Sequence, residues 1–204
     1  MSQWTLETLR ARLGGRAAAA ADTERPAAVA VVMRFPEGSD GEAGPSVLLM
    51  RRTEREGDPW SGHVSFPGGR MEPGDADLLA TAIRETREEL GIDLAASAAF
   101  IGALEPIVAT GRVINRPLPA TGVAPFVFVE TAPLEPRPGP EAESVFWLPI
   151  ARAAAGDYNA ETEYVHQGAP MRFPAWKYQG YVIWGLTLRM LSSLVETVVS
   201  TGAP

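Results

Sequence analysis

Three glutamates, Glu85, Glu88 and Glu89, stand close together in the segment RETREELG at residues 84–91. On a helix, positions i, i+3 and i+4 lie on one arc, so these carboxylates would converge in space. A cluster of oxygen donors suits a hard divalent cation such as Mg²⁺ or Mn²⁺, whereas zinc would find few ligands in a chain with two histidines and no cysteine. The alternative is an ordinary solvated helix face on which Arg84 pairs with Glu88.

A glycine-rich loop comes before the glutamates and favours a metal site over a solvated face. The segments FPGG at 66–69 and EPGD at 72–75 connect a predicted strand to the start of the helix. Because glycine lets the backbone approach a ligand closely, this loop can fold back and offer a main-chain oxygen to the carboxylates. A cation held there would neutralise a pyrophosphate and lower the pKa of an attacking water, and a partly free glutamate would accept the proton. The residues therefore indicate a metal-dependent phosphoanhydride hydrolase.

The pattern of apolar residues predicts a mixed sheet covered by helices, which would position this site. Helices are expected at residues 5–13, 76–90 and 186–199. The central helix would have Asp75 as its N-cap and Gly91 as its C-terminal stop. Strands are expected at residues 27–34, 47–52, 100–107, 123–129, 144–147 and 181–184. The Pro-rich segment 131–141 is interpreted as a surface loop. Three tryptophans in apolar contexts are interpreted as core residues: Trp147, Trp176 and Trp184.

Composition limits the classes of function that the chain can have. With 204 residues, 46% of them hydrophobic and 21% charged, it can bury one sizeable core and is predicted to form a single domain over residues 1–204. A formal net charge of −7 opposes broad binding to nucleic acid. We expect neither a signal peptide nor a membrane span, and the absence of cysteine makes a reducing cytoplasm the expected location. The sequence does not determine the oligomeric state, and a homodimer is compatible with it.

Residues 68–92, GGRMEPGDADLLATAIRETREELGI, resemble the Nudix box, the signature of the Nudix hydrolases. Gly69 takes the first position of the pattern, and Asp75 stands where its first glutamate belongs. The later positions are filled by Arg84, Glu85, Glu88, Glu89, Gly91 and Ile92. The chain departs further from the pattern by one extra residue between Asp75 and Arg84, and by Thr86 in place of an apolar residue. The resemblance implies an α/β Nudix fold, an α/β/α sandwich with a mixed sheet and a loop-helix catalytic motif.

The same resemblance implies roles for residues of this segment. Glu85, Glu88 and Glu89 would bind one or more Mg²⁺ or Mn²⁺ ions, with the carbonyl of Gly69 contributing. Arg84 would orient a glutamate and would not bind metal. Metal ligation and proton acceptance are both open to each glutamate, so the identity of the general base stays open. The partner would be a small molecule, a nucleoside diphosphate derivative.

Features outside the box resemble the coenzyme A diphosphatase branch of the family, as does the extra residue inside it. They are LLMRRT at 48–53 followed by Gly62 and FPGG, Glu141 with FWLPI at 146–150, and IWGLT at 183–187. The branch would convert coenzyme A or a derivative to 4′-phosphopantetheine and adenosine 3′,5′-bisphosphate. A second arginine of the branch signature is replaced here by Gly57-Asp58, and Arg55 is a neighbouring candidate to take its place. The candidate substrate contacts are Arg52, Arg55, Gly68, Gly69 and Glu141.

Two other functions are compatible with these residues. A Nudix hydrolase of ADP-ribose or of a nucleoside triphosphate would differ only in pocket residues outside the box. Trp60 is a candidate for stacking on a base in such a pocket, and packing beneath its own loop is the alternative role for this side chain. A nucleotide-binding module that kept the fold without catalysis is disfavoured, because all three helix glutamates are present.

Overall fold

The computed structural model describes residues 4–14, 23, 25–35, 44–57, 60–109, 112–113, 116–117, 120–166 and 169–199. The helices in this part of the chain are α1 Leu6–Leu13, α2 Leu78–Leu90, α3 Leu94–Ser97, α4 Ile150–Ala154 and α5 Gly185–Val199. The strands are β1 Arg25–Arg34, β2 Ser46–Arg52, β3 Val64–Ser65, β4 Gly68–Arg70, β5 Ala98–Ala103, β6 Ile107–Ala109, β7 Arg112–Val113, β8 Arg116–Pro117, β9 Thr121–Glu130, β10 Ala142–Pro149, β11 Asn159–His166, β12 Ala169–Tyr178 and β13 Tyr181–Trp184. None of the helices in the described ranges is long and apolar enough to cross a membrane.

The largest sheet combines parallel and antiparallel strands, which confirms the predicted mixed sheet. Its central path has the order β10-β2-β1-β9-β5. β1 runs parallel to β9, whereas β1 with β2, β2 with β10 and β5 with β9 are antiparallel. The short strands β3, β4 and β6 pair with β2, β1 and β9. A second sheet has the order β11-β12-β13.

Helices cover both faces of the large sheet, as expected for an α/β/α sandwich. Successive side chains of β1 point to opposite faces. Val31 and Met33 join a core with α1 and α5, whereas Ala30 and Val32 join a second core with α2 and α3. Each fully buried valine or methionine contributes roughly 1.5–3 kcal/mol to the free energy of unfolding. These two cores hold α2, the helix of the glutamates, firmly against the sheet.

The helix that carries the glutamates begins later than predicted. Asp77, and not Asp75, is the N-cap of α2, and its side chain accepts a hydrogen bond from the Ala80 amide at 2.8 Å. The prediction for Asp75 is wrong because its carboxylate is engaged by the Arg84 guanidinium. The predicted stop is confirmed, since Gly91 adopts the left-handed conformation with φ of 66°.

The strand prediction is wrong in two regions. The expected strand 100–107 is divided into β5 and β6, because Pro106 has no N–H for the ladder. The hairpin of β11 and β12 was not expected, since Pro170 and Pro174 argue against a strand. In the structure these prolines pair with Val165 and Glu161 of β11.

Candidate active site

The glycine loop reaches the site through β4, which pairs with β1. Gly68 lies opposite Val29 with φ of 152°, a backbone conformation that side chains rarely allow. A Cβ atom added at Gly68 would also lie 2.6 Å from Val29 Cα. Only glycine therefore lets the loop run this close to the sheet and turn toward α2.

Glu89 is buried at the meeting point of the loop and the helix. Its Oε2 accepts a hydrogen bond from the Gly68 amide at 2.8 Å, and its Oε1 lies 3.9 Å from Arg52 Nη1. Burial raises the pKa of Glu89 to about 8, and the charge of neighbouring Glu85 adds to the shift. A carboxylate placed here is costly without a cation, so the site favours the binding of positive charge.

Glu85 lies on the same side of α2, directly against Gly69. A Cβ atom added at Gly69 would overlap the Glu85 carboxylate. Burial raises the pKa of the Glu85 carboxyl, against the opposing effect of the Arg84 guanidinium. The structure thus brings together four predicted site residues: Gly68, Gly69, Glu85 and Glu89.

Arg84 ties the loop to the helix. Its Nε and Nη2 each donate to one oxygen of Asp75 at 2.9 Å, and Nη2 also donates to the Arg70 carbonyl at 3.1 Å. Nη1 donates to Glu85 Oε1 and to Glu88 Oε2, both at 3.0 Å. The guanidinium holds the pKa of Asp75 well below its usual range. Asp75, at the first acidic position of the box, is therefore an anchor for Arg84.

Glu88 is the most exposed of the three glutamates. Its side chain is 55% exposed and accepts a hydrogen bond from the same Arg84 Nη1 that donates to Glu85. Among the described residues, no three acidic or histidine side chains are placed to hold an ion as they stand. Glu85 and Glu89 nevertheless offer only oxygen atoms as ligands, which fits Mg²⁺ or Mn²⁺. The assignment of Glu88 as a ligand stays a prediction.

The predicted substrate contacts outside the box lie along one edge of this site. Arg52 faces Glu89, and Arg55 Nη1 lies 3.1 Å from Glu141 Oε1. The charge of Glu141 contributes to the raised pKa of both Glu85 and Glu89, which places it near them. Of the Gly57-Asp58 pair that replaces the branch arginine, Asp58 lies outside the described residues.

The segment 131–141, interpreted from sequence as a surface loop, supports α2, the helix of the candidate site. The Arg137 amide donates to the Leu90 carbonyl and the Gly139 amide to the Glu89 carbonyl, both at 2.7 Å. These bonds satisfy carbonyls at the C-terminal end of α2. A Cβ atom at Gly139 would lie 3.0 Å from the Glu88 carbonyl, so glycine permits this approach. Sequence reasoning missed Gly139, whose only signal was its place between two prolines.

Without metal, the unfolding free energy is expected to fall as the pH rises. The folded pKa of Glu89, about 8, lies above its ordinary value of 4.5, so the folded state holds a proton that the unfolded state releases. The contribution of Glu89 to the unfolding free energy is therefore complete below about pH 4.5. It then decreases by about 1 kcal/mol per pH unit up to about pH 8. Urea unfolding in EDTA should show this decline in the wild type and a smaller one in Glu89→Gln. Mg²⁺ should restore only the wild type, and parallel pH profiles for the two proteins would contradict the expectation.

Comparison with known proteins identifies the domain. A NUDIX domain is matched over residues 24–167, which include the glycine loop and α2. An uncharacterized protein of Schizosaccharomyces pombe is 37% identical over 142 residues, 62% of this chain and 42% of that protein. The human mitochondrial coenzyme A diphosphatase NUDT8 is 32% identical over 165 residues, 80% of this chain and 66% of that protein. The chain spans less than two thirds of the length of either relative.

A solved structure supports the fold assignment. The crystal structure of a NUDIX hydrolase from Alicyclobacillus acidocaldarius matches with a TM-score of 0.53 at 20% identity, over 88% of this chain and 98% of that one. This similarity confirms the predicted Nudix fold. Because the domain match also covers most of the chain and contains the residues of the site, the chain belongs to the Nudix family of hydrolases.

Proposed function

We propose that the chain is a Mg²⁺- or Mn²⁺-dependent hydrolase of the pyrophosphate in coenzyme A or a coenzyme A derivative. The observation that carries the proposal is the pair of largely buried carboxylates, Glu85 and Glu89, held against the Gly68 and Gly69 backbone. Nudix hydrolases generally use divalent cations. The all-oxygen donor set supports Mg²⁺ or Mn²⁺ over softer metals.

The residues of α2 would hold the cation and the proton. Glu85, Glu88 and Glu89 are the proposed ligands, with the carbonyl of Gly69. When bound, the ion supplies charge neutralisation for the pyrophosphate and a lower pKa for the attacking water. Arg84 keeps Glu85 in place through the 3.0 Å hydrogen bond from Nη1 to Oε1. The general base is one of the three glutamates.

The proposed reaction adds one water across the pyrophosphate. The water oxygen bonds to one phosphorus, and the bond from that phosphorus to the bridging oxygen breaks. The bridging oxygen leaves with the electron pair on the other phosphate, and a glutamate carboxylate accepts the proton from water. From coenzyme A the products are 4′-phosphopantetheine and adenosine 3′,5′-bisphosphate.

Coenzyme A as the substrate is supported by the likeness to NUDT8 and by two arginines at the edge of the site. Arg52 lies 3.9 Å from Glu89, and Arg55 lies 3.1 Å from Glu141. The two guanidinium groups therefore lie beside Glu89 and Glu141, and guanidinium groups bind phosphate oxygens well. A cytoplasmic location stays a prediction, since NUDT8 is named a mitochondrial protein.

The replacement of the branch arginine at residues 57–58 favours one alternative, a different nucleoside diphosphate derivative. A substrate panel distinguishes the two. We expect kcat/KM for coenzyme A to exceed that for ADP-ribose and ATP by at least about tenfold, with Mg²⁺ present. A higher value for ADP-ribose or ATP would reject coenzyme A and keep the hydrolase. A complete lack of turnover on the panel would indicate a binding module.

A further inference from the structure

The second sheet, β11-β12-β13, has two faces of different character. Directly opposed residues of antiparallel strands share a face, and successive residues alternate. Trp176 is opposite Ile183, and both belong to the core that α5 covers. On the other side, the register places four large apolar side chains beside smaller or polar residues such as Thr162 and Lys177. We term these four the aromatic face: Tyr164, Met171, Phe173 and Trp184. The prediction that Trp184 is a core residue is therefore wrong, because its strand turns this side chain away from the core.

Two side chains of the aromatic face are exposed and the other two are half-buried, whereas the reverse side of the same hairpin is polar. Tyr164 is 38% exposed and Met171 is 44% exposed. On the reverse side, Arg172 pairs with Glu161 at 3.8 Å and with Glu163 at 3.2 Å. Contiguous exposed apolar side chains, unlike single ones, mark contact surfaces. The segregation of apolar side chains to one face therefore indicates an apolar partner.

The aromatic face adjoins the candidate active site through His63. The His63 ring meets the Trp184 indole with centroids 5.0 Å apart. The Arg52 amide donates to the His63 carbonyl at 2.9 Å, and Arg52 Nη1 lies 3.9 Å from Glu89 Oε1. Trp184 therefore contacts the residue whose backbone pairs with Arg52. The face is thus continuous with the site that would hold the pyrophosphate.

We infer that the aromatic face binds the nucleobase of the substrate, which is adenine in coenzyme A. The inference rests on the proposed function, because a nucleotide whose pyrophosphate lies at Glu89 can place its base near Trp184. Three rings meet the indole at interplanar angles of 63°, 40° and 43°, so none of these three is stacked parallel on it. Every nucleobase has a π-face that stacks on aromatic side chains. An apolar surface of this kind, beside a pyrophosphate site, fits a base.

The position of the aromatic face along the chain supports a role in specificity. The NUDIX domain match ends at residue 167, so Met171, Phe173 and Trp184 lie beyond it. Glu85 and Glu89 lie inside it. Function within a fold is set by the residues added around a shared scaffold. A surface outside the matched domain and beside the site therefore suits the part of the substrate that is not the pyrophosphate.

The test is the binding of adenosine 3′,5′-bisphosphate by isothermal titration calorimetry. Tyr164→Ala should raise the Kd about tenfold relative to wild type, the effect of one lost stacking contact. Phe100→Ala is the matched control, since Phe100 is 45% exposed on β5 at the far edge of the large sheet. It should leave the Kd unchanged. Methyl riboside 3,5-bisphosphate, which lacks the base, should bind equally to all three proteins.

Equal affinity of the three proteins for the base-bearing ligand would overturn the inference, as would no binding to wild type. If Tyr164→Ala weakened the binding of 4′-phosphopantetheine alone, the aromatic face would instead bind the other half of the substrate. A wild-type dimer that Tyr164→Ala dissociates, with unchanged Kd, would make it an interface between copies. No turnover is measured, so a protein that does not hydrolyse coenzyme A can still show Tyr164-dependent binding of the base. Failure of the proposed function is thus distinguishable from failure of the inference.

Discussion

Glu89→Gln is expected to reduce Mg²⁺-dependent turnover by about 10²–10⁴-fold while leaving the fold intact. The amide has the shape of the carboxylate, and its oxygen can still accept the Gly68 N–H that now binds Oε2 at 2.8 Å. It lacks the charge that would hold a cation or accept a proton. Initial rates, with circular dichroism and thermal melting of the same samples, separate loss of chemistry from loss of structure.

Glu143→Gln is the matched control for this substitution. Glu143 is exposed and pairs with Arg51 at 3.2 Å. Since successive residues of β2 alternate between faces, Arg51 points away from the face on which Arg52 meets Glu89. The control should be fully active. A folded and fully active Glu89→Gln protein would show that α2 does not carry the metal site.

Arg84→Gln is expected to lower the unfolding free energy by about 1.5–3 kcal/mol, because it removes charge-assisted hydrogen bonds to the carboxylate of the half-buried residue Asp75. The Asp75 side chain is only 6% exposed and would lose the two 2.9 Å hydrogen bonds that compensate its charge. The double variant Asp75→Asn/Arg84→Gln should recover part of the loss. Urea unfolding of wild type, the two single variants and the double variant gives the four unfolding free energies of a double-mutant cycle, which measures the interaction between Asp75 and Arg84.

The loss of unfolding free energy in Arg84→Gln is expected to depend on pH. The folded pKa of Asp75 lies below its ordinary value of 3.8, so the stabilisation is full above that value and is lost as the pH falls toward the folded pKa. The deficit of Arg84→Gln should therefore be largest at neutral pH and should shrink in acid. Arg87→Gln, an exposed change on the same helix, should cost little. Equal losses for Arg84→Gln and Arg87→Gln would contradict the anchoring role of Arg84.

Local spacing was enough to predict much of the site. Glu85 and Glu89 lie one turn apart on α2 and both face the glycine loop, as helix periodicity requires. Glu88 is largely exposed, and its carboxylate accepts a hydrogen bond from Arg84 at 3.0 Å. Periodicity describes where a side chain starts, and an ion pair decides where its charged end lies. An ion pair with Arg84 likewise engages the Asp75 carboxylate, and Asp77 is the N-cap in its place.

Long-range packing accounts for what local patterns could not predict. Trp184 lies in an apolar stretch and was assigned to the core, yet its strand turns it toward His63 and away from α5. Pro170 and Pro174 argue against a strand in the local sequence, yet pairing between β11 and β12 stabilises a hairpin there. The Gly139 amide donates a hydrogen bond to the Glu89 carbonyl. These residues are 50 positions apart, so a local sequence pattern cannot predict the contact.

The most direct test of the proposed function is to incubate the purified protein with coenzyme A in Mg²⁺ or in EDTA and separate the products by chromatography. We predict equal amounts of adenosine 3′,5′-bisphosphate and 4′-phosphopantetheine in Mg²⁺ and intact coenzyme A in EDTA. The same products in EDTA would contradict the metal-dependent site at Glu85 and Glu89. Intact coenzyme A in Mg²⁺ would contradict the proposed substrate.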